Sequence, residues 1–394
     1  MCEFISNPLY KDVPGWANQK TAFMNDDIFK FHRLLDGYEP TPLHTLNGLA
    51  KKIGISSIYI KDESYRFGVK AFKPLGASYT IYRFLKSMWE NKFKTDFSVL
   101  DFKNPEKMHD LGAFTFCAAT DGNHGRAVAW TARILKQKAV IYMPANTVTS
   151  RIKNIESEGA KVVLIDGTFD ECVSHVDADA KTNGWIIISD TAYPGYMYFP
   201  QFIMAGYSTI FREMDSIVNM QNECKADIVF LQAGVGGLAA AGTWYLTNKY
   251  GKTRPKIICL EPTRADAFME SVKNGKPVHS KGDYNSIMAG LNCGVSLLAW
   301  DYISEGVNYL MTVSDDYAEK AMKQYYYPME NDPRIIAGES GASGMAGLLA
   351  LFGEDKFSAQ RNELGINSKT SVLLINSEGD TDPENFKKVV TSGQ

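Results

Sequence analysis

Lys73 stands in the stretch Ala71-Phe-Lys-Pro-Leu-Gly-Ala-Ser78. Pro74 beside it suits the first helical position, where a missing N–H costs nothing. A helix is therefore expected to begin at the lysine, with the amine near the positive end of the helix dipole. The dipole disfavours an ammonium there and burial disfavours it further, so the amine is neutral more readily than that of a surface lysine. A neutral amine can form a Schiff base with an aldehyde-bearing cofactor. The same eight residues also suit a solvated lysine beside an ordinary helix start, so the assignment rests on the rest of the chain.

Three further groups bear on it. Gln232-Ala-Gly-Val-Gly-Gly-Leu238 follows the apolar run Ile228-Val-Phe-Leu231 and opens an Ala-rich helix. Gly234, Val235, Gly236, Gly237 and Leu238 can aim several backbone N–H groups at one point, which is a cradle for a single phosphate. The third glycine of the dinucleotide fingerprint is missing, Glu261 comes too late and before a proline to hold a ribose, and no Gly-Lys-Ser/Thr is present. A plain tight crossover is the alternative. The second group is Thr120-Asp-Gly-Asn-His-Gly-Arg126, a loop at the C-terminal end of a strand. Asp121 can act as a base, Asn123 can donate to a phenolate or carbonyl oxygen, and Gly122 and Gly125 allow close approach. The alternative is a helix N-cap supplied by Asp121 or Asn123. His124 reads more readily as structural, and no metal site is proposed. The third group is Asp190 and Ser377, each of which follows an apolar strand, at the sheet end where open α/β sheets bind ligands.

The elements that position these groups alternate regularly. Residues 1–30 show no period and read as an irregular arm. A helix from Thr45 precedes the alternating strand 56–61. The helix at Lys73 keeps Leu75, Tyr79, Tyr82 and Leu85 in helical register. Strands are expected at 113–119, 139–143, 161–165 and 185–189, with helices at 123–136, 148–158 and 169–182 between them. A second series has a helix from Gln201, a strand at 227–231, a helix from Gly236 and a strand at 256–260, with a last strand at 371–376. Such alternation gives parallel sheets covered by helices on both faces. The expected fold is α/β: two open parallel-sheet domains with the cofactor in the cleft between them. Residues 1–88 plus 195–394 would form a large cofactor-binding domain and 89–194 a small α/β domain.

Composition narrows the partners. The 394 residues are 45% hydrophobic and 22% charged, with a net charge of −3. Acids and bases interleave, so no broad field suits a nucleic acid or a membrane surface. Met1-Cys-Glu-Phe-Ile-Ser lacks a basic flank before an apolar core, so no signal peptide is expected. No apolar run approaches the roughly 20 residues of a membrane span. The cysteines at 2, 117, 172, 224, 259 and 293 have no metal-type spacing and read as reduced core thiols of a cytoplasmic protein.

Several stretches, in chain order, carry a resemblance. They are Pro40-Thr-Pro-Leu43, Lys61-Asp-Glu-Ser64, Arg66-Phe-Gly68, Ala71-Phe-Lys73, Thr120–Arg126 and Val140-Ile-Tyr-Met-Pro144. Asp190-Thr-Ala192, Gln232–Gly236, Ile287-Met-Ala-Gly-Leu291, Asn331–Ala342 and Ser377–Asp382 complete them. With these the chain resembles pyridoxal-phosphate enzymes of the tryptophan-synthase β fold (fold type II) and, within that fold, the diaminopropionate ammonia-lyases. Thr-Asp-Gly-Asn-His-Gly discriminates most, because related serine and threonine dehydratases usually carry a hydroxyl in place of Asp121.

The resemblance implies that Lys73 holds pyridoxal 5'-phosphate and exchanges it for the substrate amine. It also implies that Gly234–Leu238 binds the phosphate, Asn123 the ring O3′, Phe72 the ring face and Ser377 the pyridine nitrogen. The reaction implied is α,β-elimination of D- and L-2,3-diaminopropionate to pyruvate and two ammonia. Lys73 is the implied base for the L substrate and Asp121 for the D substrate, with Thr120 and Asp190 on the substrate. A homodimer is usual for the fold. Gly294-Val-Ser-Leu297, Tyr196–Pro200 and Val69-Lys70 depart from the family pattern and are rim or lid candidates. A serine/threonine dehydratase, a β-replacement synthase and a non-catalytic binding protein stay open as alternatives. Asp121 argues against the first two and Lys73 against the last.

Overall fold

In the computed structural model, residues 1–17, 19, 21–120, 122–167, 169–217 and 226–392 are described. Asp121 and Cys224 lie outside the described residues. Contacts divide the chain into two units, Met1–Lys20 with Pro40–Lys70 and Ile210–Gln394, and Thr21–Glu39 with Ala71–Thr209.

The larger unit is built on a seven-stranded sheet. Across it run β1 (Phe4–Ser6), β10 (Tyr309–Val313), β9 (Lys256–Pro262), β8 (Ile228–Gln232), β11 (Ser371–Asn376), β3 (Ser57–Asp62) and β2 (Leu43–Thr45). The five middle strands are parallel, and the edge strands β1 and β2 are antiparallel to their neighbours. Residues 228–232 are all buried, as expected where helices cover both faces and the strand needs no polar side. Ile58, Ile60, Ile228, Phe230, Leu260 and Leu374 join one apolar core.

The smaller unit carries a four-stranded parallel sheet in the order β6 (Lys161–Ile165), β5 (Lys138–Pro144), β4 (Thr115–Ala119) and β7 (Ile186–Ile187). The Lys73–Phe93 helix belongs to this unit, whereas the expected boundary near residue 88 put it in the large domain. Its long packing contact with the Asn123–Ile134 helix is the reason. It also crosses the helix Tyr198–Ile217 closely: a Cβ on Gly206 would lie 2.4 Å from the Leu75 carbonyl oxygen. Only a glycine permits that approach. Among the described residues, no helix is long and apolar enough to cross a membrane.

The irregular arm expected over residues 1–30 is ordered into β1, a short turn of 3-10 helix at Ala22–Met24 and a helix from Asp27 to Leu34. Its three-residue strand is too short to show a period of its own, and it forms by pairing with β10, 309 to 311.

One motif of the larger unit finds its role in packing. Lys61, Glu63, Arg66 and Glu213 are at most 1% exposed. Lys61 Nζ donates to Glu213 Oε2 (2.7 Å) and to the Thr41 carbonyl (2.7 Å). Arg66 donates to both oxygens of Glu213 (2.7 and 2.9 Å) and both of Glu63 (2.8 and 2.9 Å). Two cations thus meet two anions with their hydrogen bonds made, the condition under which buried charge is tolerated. Burial opposes the Glu213 charge, but Arg66 and Lys61 outweigh it and hold the carboxyl at about 2.

Candidate active site

Lys73 is the first residue of its helix and Pro74 the second, one position later than expected. The amine donates to Asp190 Oδ2 at 2.6 Å. It also lies 5.3 Å from the centre of the Phe72 ring. The His124 ring reaches the same carboxylate, with Nδ1 3.8 Å from Oδ2. Its Nε2 is 2.7 Å from the Ile188 carbonyl oxygen. A carbonyl only accepts, so Nε2 carries a proton. Burial raises the Asp190 carboxyl, but the Lys73 ammonium and the His124 ring overcome it and hold the carboxyl well below the usual range. The amine and the carboxylate thus form a part-buried pair, with side chains 16% exposed on each side. The carboxylate is delivered by a distant strand end, 117 positions along the chain.

Tyr207, which carries no sequence signal, belongs to this cluster. It is 1% exposed and packs edge-on against Phe72 at 4.6 Å. Burial raises its phenol; Lys73 opposes and Asp190 adds to the shift. The close helix crossing at Gly206 is what brings it to the Lys73 turn.

The Thr120–Arg126 loop leaves the C-terminal end of β4, and Asn123 begins the next helix. At the start of that helix the Thr120 Oγ1 accepts from the N–H groups of Gly122 (3.0 Å) and Gly125 (3.2 Å); the alternative reading of Asp121 as the cap falls on a residue outside the described ones.

The remaining expected residues lie in the larger unit, at the C-terminal ends of adjacent parallel strands. The glycine loop follows β8 and Ser377 follows β11, and Gln232 Nε2 ties the two strand ends by donating to the Ile375 carbonyl (2.9 Å). The helix Gly237–Tyr250 starts with no side-chain cap. Among the described residues, none accepts from the N–H groups of Gly234, Val235, Gly236, Gly237 or Leu238. Gly236 has φ +92°, and a Cβ there would lie 2.4 Å from Phe268 Cζ. Glu261, the penultimate residue of β9, is a capping group. Its two oxygens accept from the Phe268 and Met269 N–H groups (2.8 and 2.9 Å). Burial still pushes its carboxyl up to about 8.

The sequence profile of the pyridoxal-phosphate dependent enzymes matches residues 34–366. The chain is 38% identical over 373 residues to the diaminopropionate ammonia-lyase of Escherichia coli, covering 93% of this chain and 90% of that protein. It is 36% identical over 375 residues to that of Salmonella typhimurium, covering 93% and 92%. The crystal structure of the holo Escherichia coli enzyme superposes with a TM-score of 0.89 at 34% identity, covering 100% of this chain and 97% of that one.

The residues present fit pyridoxal phosphate. Five backbone N–H groups without acceptors among the described residues, beside a helix N-terminus, suit a phosphate dianion. In the smaller unit, Lys73 carries an amine of the kind that forms a Schiff base. The Ser377 hydroxyl, 4% exposed as a residue, bonds no described residue and suits a ring nitrogen. Gly236→Ala is expected to weaken cofactor binding at least about tenfold in an absorbance titration, because the loop must abandon its shape. Unchanged affinity would separate loop shape from phosphate binding. By the profile match and the identity to these relatives, the chain belongs to the pyridoxal-phosphate-dependent enzymes and, among them, to the diaminopropionate ammonia-lyase family.

Proposed function

We propose that this chain eliminates ammonia from D- and L-2,3-diaminopropionate, giving pyruvate and two ammonia with one water consumed. The observation that carries the reading is the Lys73–Asp190 pair at 2.6 Å. Asp190 is already the partner of one ammonium, and the second amine of the substrate is another. With the Lys73 amine committed to the cofactor, the β-ammonium of the substrate would take its place at Asp190, which a serine hydroxyl cannot do with equal strength. When bound, pyridoxal phosphate delocalises the charge left at Cα.

Lys73 removes the Cα proton of the L substrate and Asp121 that of the D substrate. Asn123 orients the cofactor oxygen, Phe72 covers one ring face, and Thr120 binds the substrate. Gly234–Leu238 anchor the phosphate, and Ser377 meets the ring nitrogen. A hydroxyl there leaves that nitrogen unprotonated, which favours loss of a β group over transamination. The protein is proposed to act in the cytoplasm as a homodimer. The free cysteines at 2, 117, 172, 259 and 293 support a reducing compartment, and light scattering would report the dimer.

The test is pyruvate release from each diaminopropionate enantiomer against L-serine, with the cofactor present. Turnover of both enantiomers with little serine activity is the expected result. Serine or threonine turnover alone would make the chain a dehydratase. Asp190→Asn should raise KM for diaminopropionate about tenfold or more while sparing serine, and Asp121→Asn should reduce D turnover far more than L turnover. Equal losses of D and L turnover would sink the two-base assignment.

A further inference from the structure

β7 is an edge strand of two residues, paired on one side only, with β4. Backbone groups of successive strand residues point alternately to the two sides. On the β4 side, the Ile188 N–H donates to the Cys117 carbonyl at 2.8 Å, and the Ile188 carbonyl meets His124 Nε2 at 2.7 Å. The Ile187 carbonyl and the Ser189 N–H face the other way, where a fifth strand would lie. A single side chain occupies that place. The Tyr196 hydroxyl accepts from the Ser189 N–H (3.0 Å) and donates to the Ile187 carbonyl (2.8 Å). One phenol thus makes both bonds that a neighbouring strand would make, immediately before Asp190.

The turn that carries this phenol is well built. Pro194 and Gly195, the latter at φ +86°, fill the central positions of a turn closed by the bonds between Tyr193 and Tyr196 (2.9 and 3.4 Å). This is the sequence preference of a type II turn. The Tyr193 and Tyr196 rings stack at 5.1 Å, and Tyr196 also meets Phe199 at 6.0 Å. Burial pushes the Tyr196 phenol up, so it remains a donor over the working range of any enzyme. Fixing one end of a carboxylate-bearing backbone in this way matters because small displacements of a charged group change its fit to a ligand steeply.

We propose that Tyr196 is a positioning residue: its hydroxyl, acting as a surrogate strand against Ile187 and Ser189, fixes Asp190 for the second ammonium of the substrate. The inference deepens the proposed function and rests on its assignment of Asp190. Tyr196 touches neither substrate nor cofactor in this role. It acts through two backbone bonds, and the exposed turn (Tyr193 is 36% exposed) is thereby a specificity element.

The test uses two ligands that cannot eliminate because they lack a Cα hydrogen: racemic 2-methyl-2,3-diaminopropionate, with the second amine, and 2-aminoisobutyrate, without it. Each is titrated into the holoenzyme and its dissociation constant read from the shift of the visible cofactor band. Tyr196→Phe removes one oxygen and leaves the ring packing, so the fold is retained. The variant is expected to bind the diamine about tenfold more weakly, the value of one well-made hydrogen-bond pair, and the monoamine within about twofold of the parent. Equal weakening for both ligands would reveal a general structural effect and overturn the proposal, as would no weakening for either. A parent enzyme that already fails to prefer the diamine would overturn the Asp190 assignment itself. Preference in the parent with an unchanged Tyr196→Phe ratio would overturn the role of Tyr196 alone.

Discussion

Lys73→Ala, purified with pyridoxal phosphate present, is expected to show no visible cofactor band and a loss of pyruvate release above about 10⁴-fold. Both losses have one cause, the absence of an amine at the start of the Lys73–Phe93 helix. A second effect follows from the 2.6 Å pair with Asp190. Alanine leaves that carboxylate without its main cation, so the variant is expected to be less stable as well. Lys73→Arg separates the two. Guanidinium restores a partner for Asp190 but forms no Schiff base under these conditions. It should therefore recover stability toward urea and recover neither the band nor the turnover. A visible band in either variant would remove Lys73 from its proposed role.

The second large effect is on stability. Glu213→Gln leaves Lys61 and Arg66 in the core of the larger unit with one anion, Glu63, between them. Breaking a buried pair by removing one partner typically costs about 3–5 kcal/mol, a large share of the roughly 5–15 kcal/mol of a whole protein. Urea unfolding followed by circular dichroism should show it, and a loss below about 1 kcal/mol would show the network to be dispensable. Should the variant not accumulate, the parent protein carries the same test through pH. The Glu213 carboxyl lies at about 2, below its ordinary 4.5, so its stabilisation is present above 4.5 and is lost as pH falls through that value toward 2. Acid unfolding confined to that window is expected. Stability that stays level down to pH 2 would contradict the depressed carboxyl.

The parts of the fold legible in the residues are those with local cause. Val162 to Leu164 and Leu373 to Ile375 sit in strands whose limits, 161–165 and 371–376, are those observed, because apolar runs bounded by polar turns admit little else. The glycine loop and the Lys73 helix start were legible for the same reason: glycine and proline act on their own backbone. β1, β2 and β10 escaped notice. The first two have three residues each, too few for a period, and take their conformation from the strands they pair with. The site was legible as a set of strand ends but not as a set of contacts. Lys73 and Asp190 are 117 positions apart, and Arg66 and Glu213 are 147 apart. No window of sequence holds either pair. His124 and Tyr207 reach their partners by the same kind of distant juxtaposition, 64 positions to Ile188 and across two helices to Phe72. Tyr196 bonds within nine positions of itself, yet showed beforehand only as a departure from the family pattern.

The strand order of the larger sheet has a consequence for how the protein is made. β11, residues 371–376, is the strand that joins β8 to β3. A ribosome delivers the chain from its N-terminus, so β3 with β2 and the ribbon of β8, β9 and β10 emerge as separate pieces with open edges. The smaller unit is complete once residue 209 has emerged. From there to β11 the growing chain waits for roughly ten to thirty seconds at ordinary synthesis rates. During that interval β3 and β8 each present an unpaired edge, the kind that recruits other chains. The sheet that starts at residue 4 is therefore the last to close, when residues 371–376 pair with β3 on one side and β8 on the other.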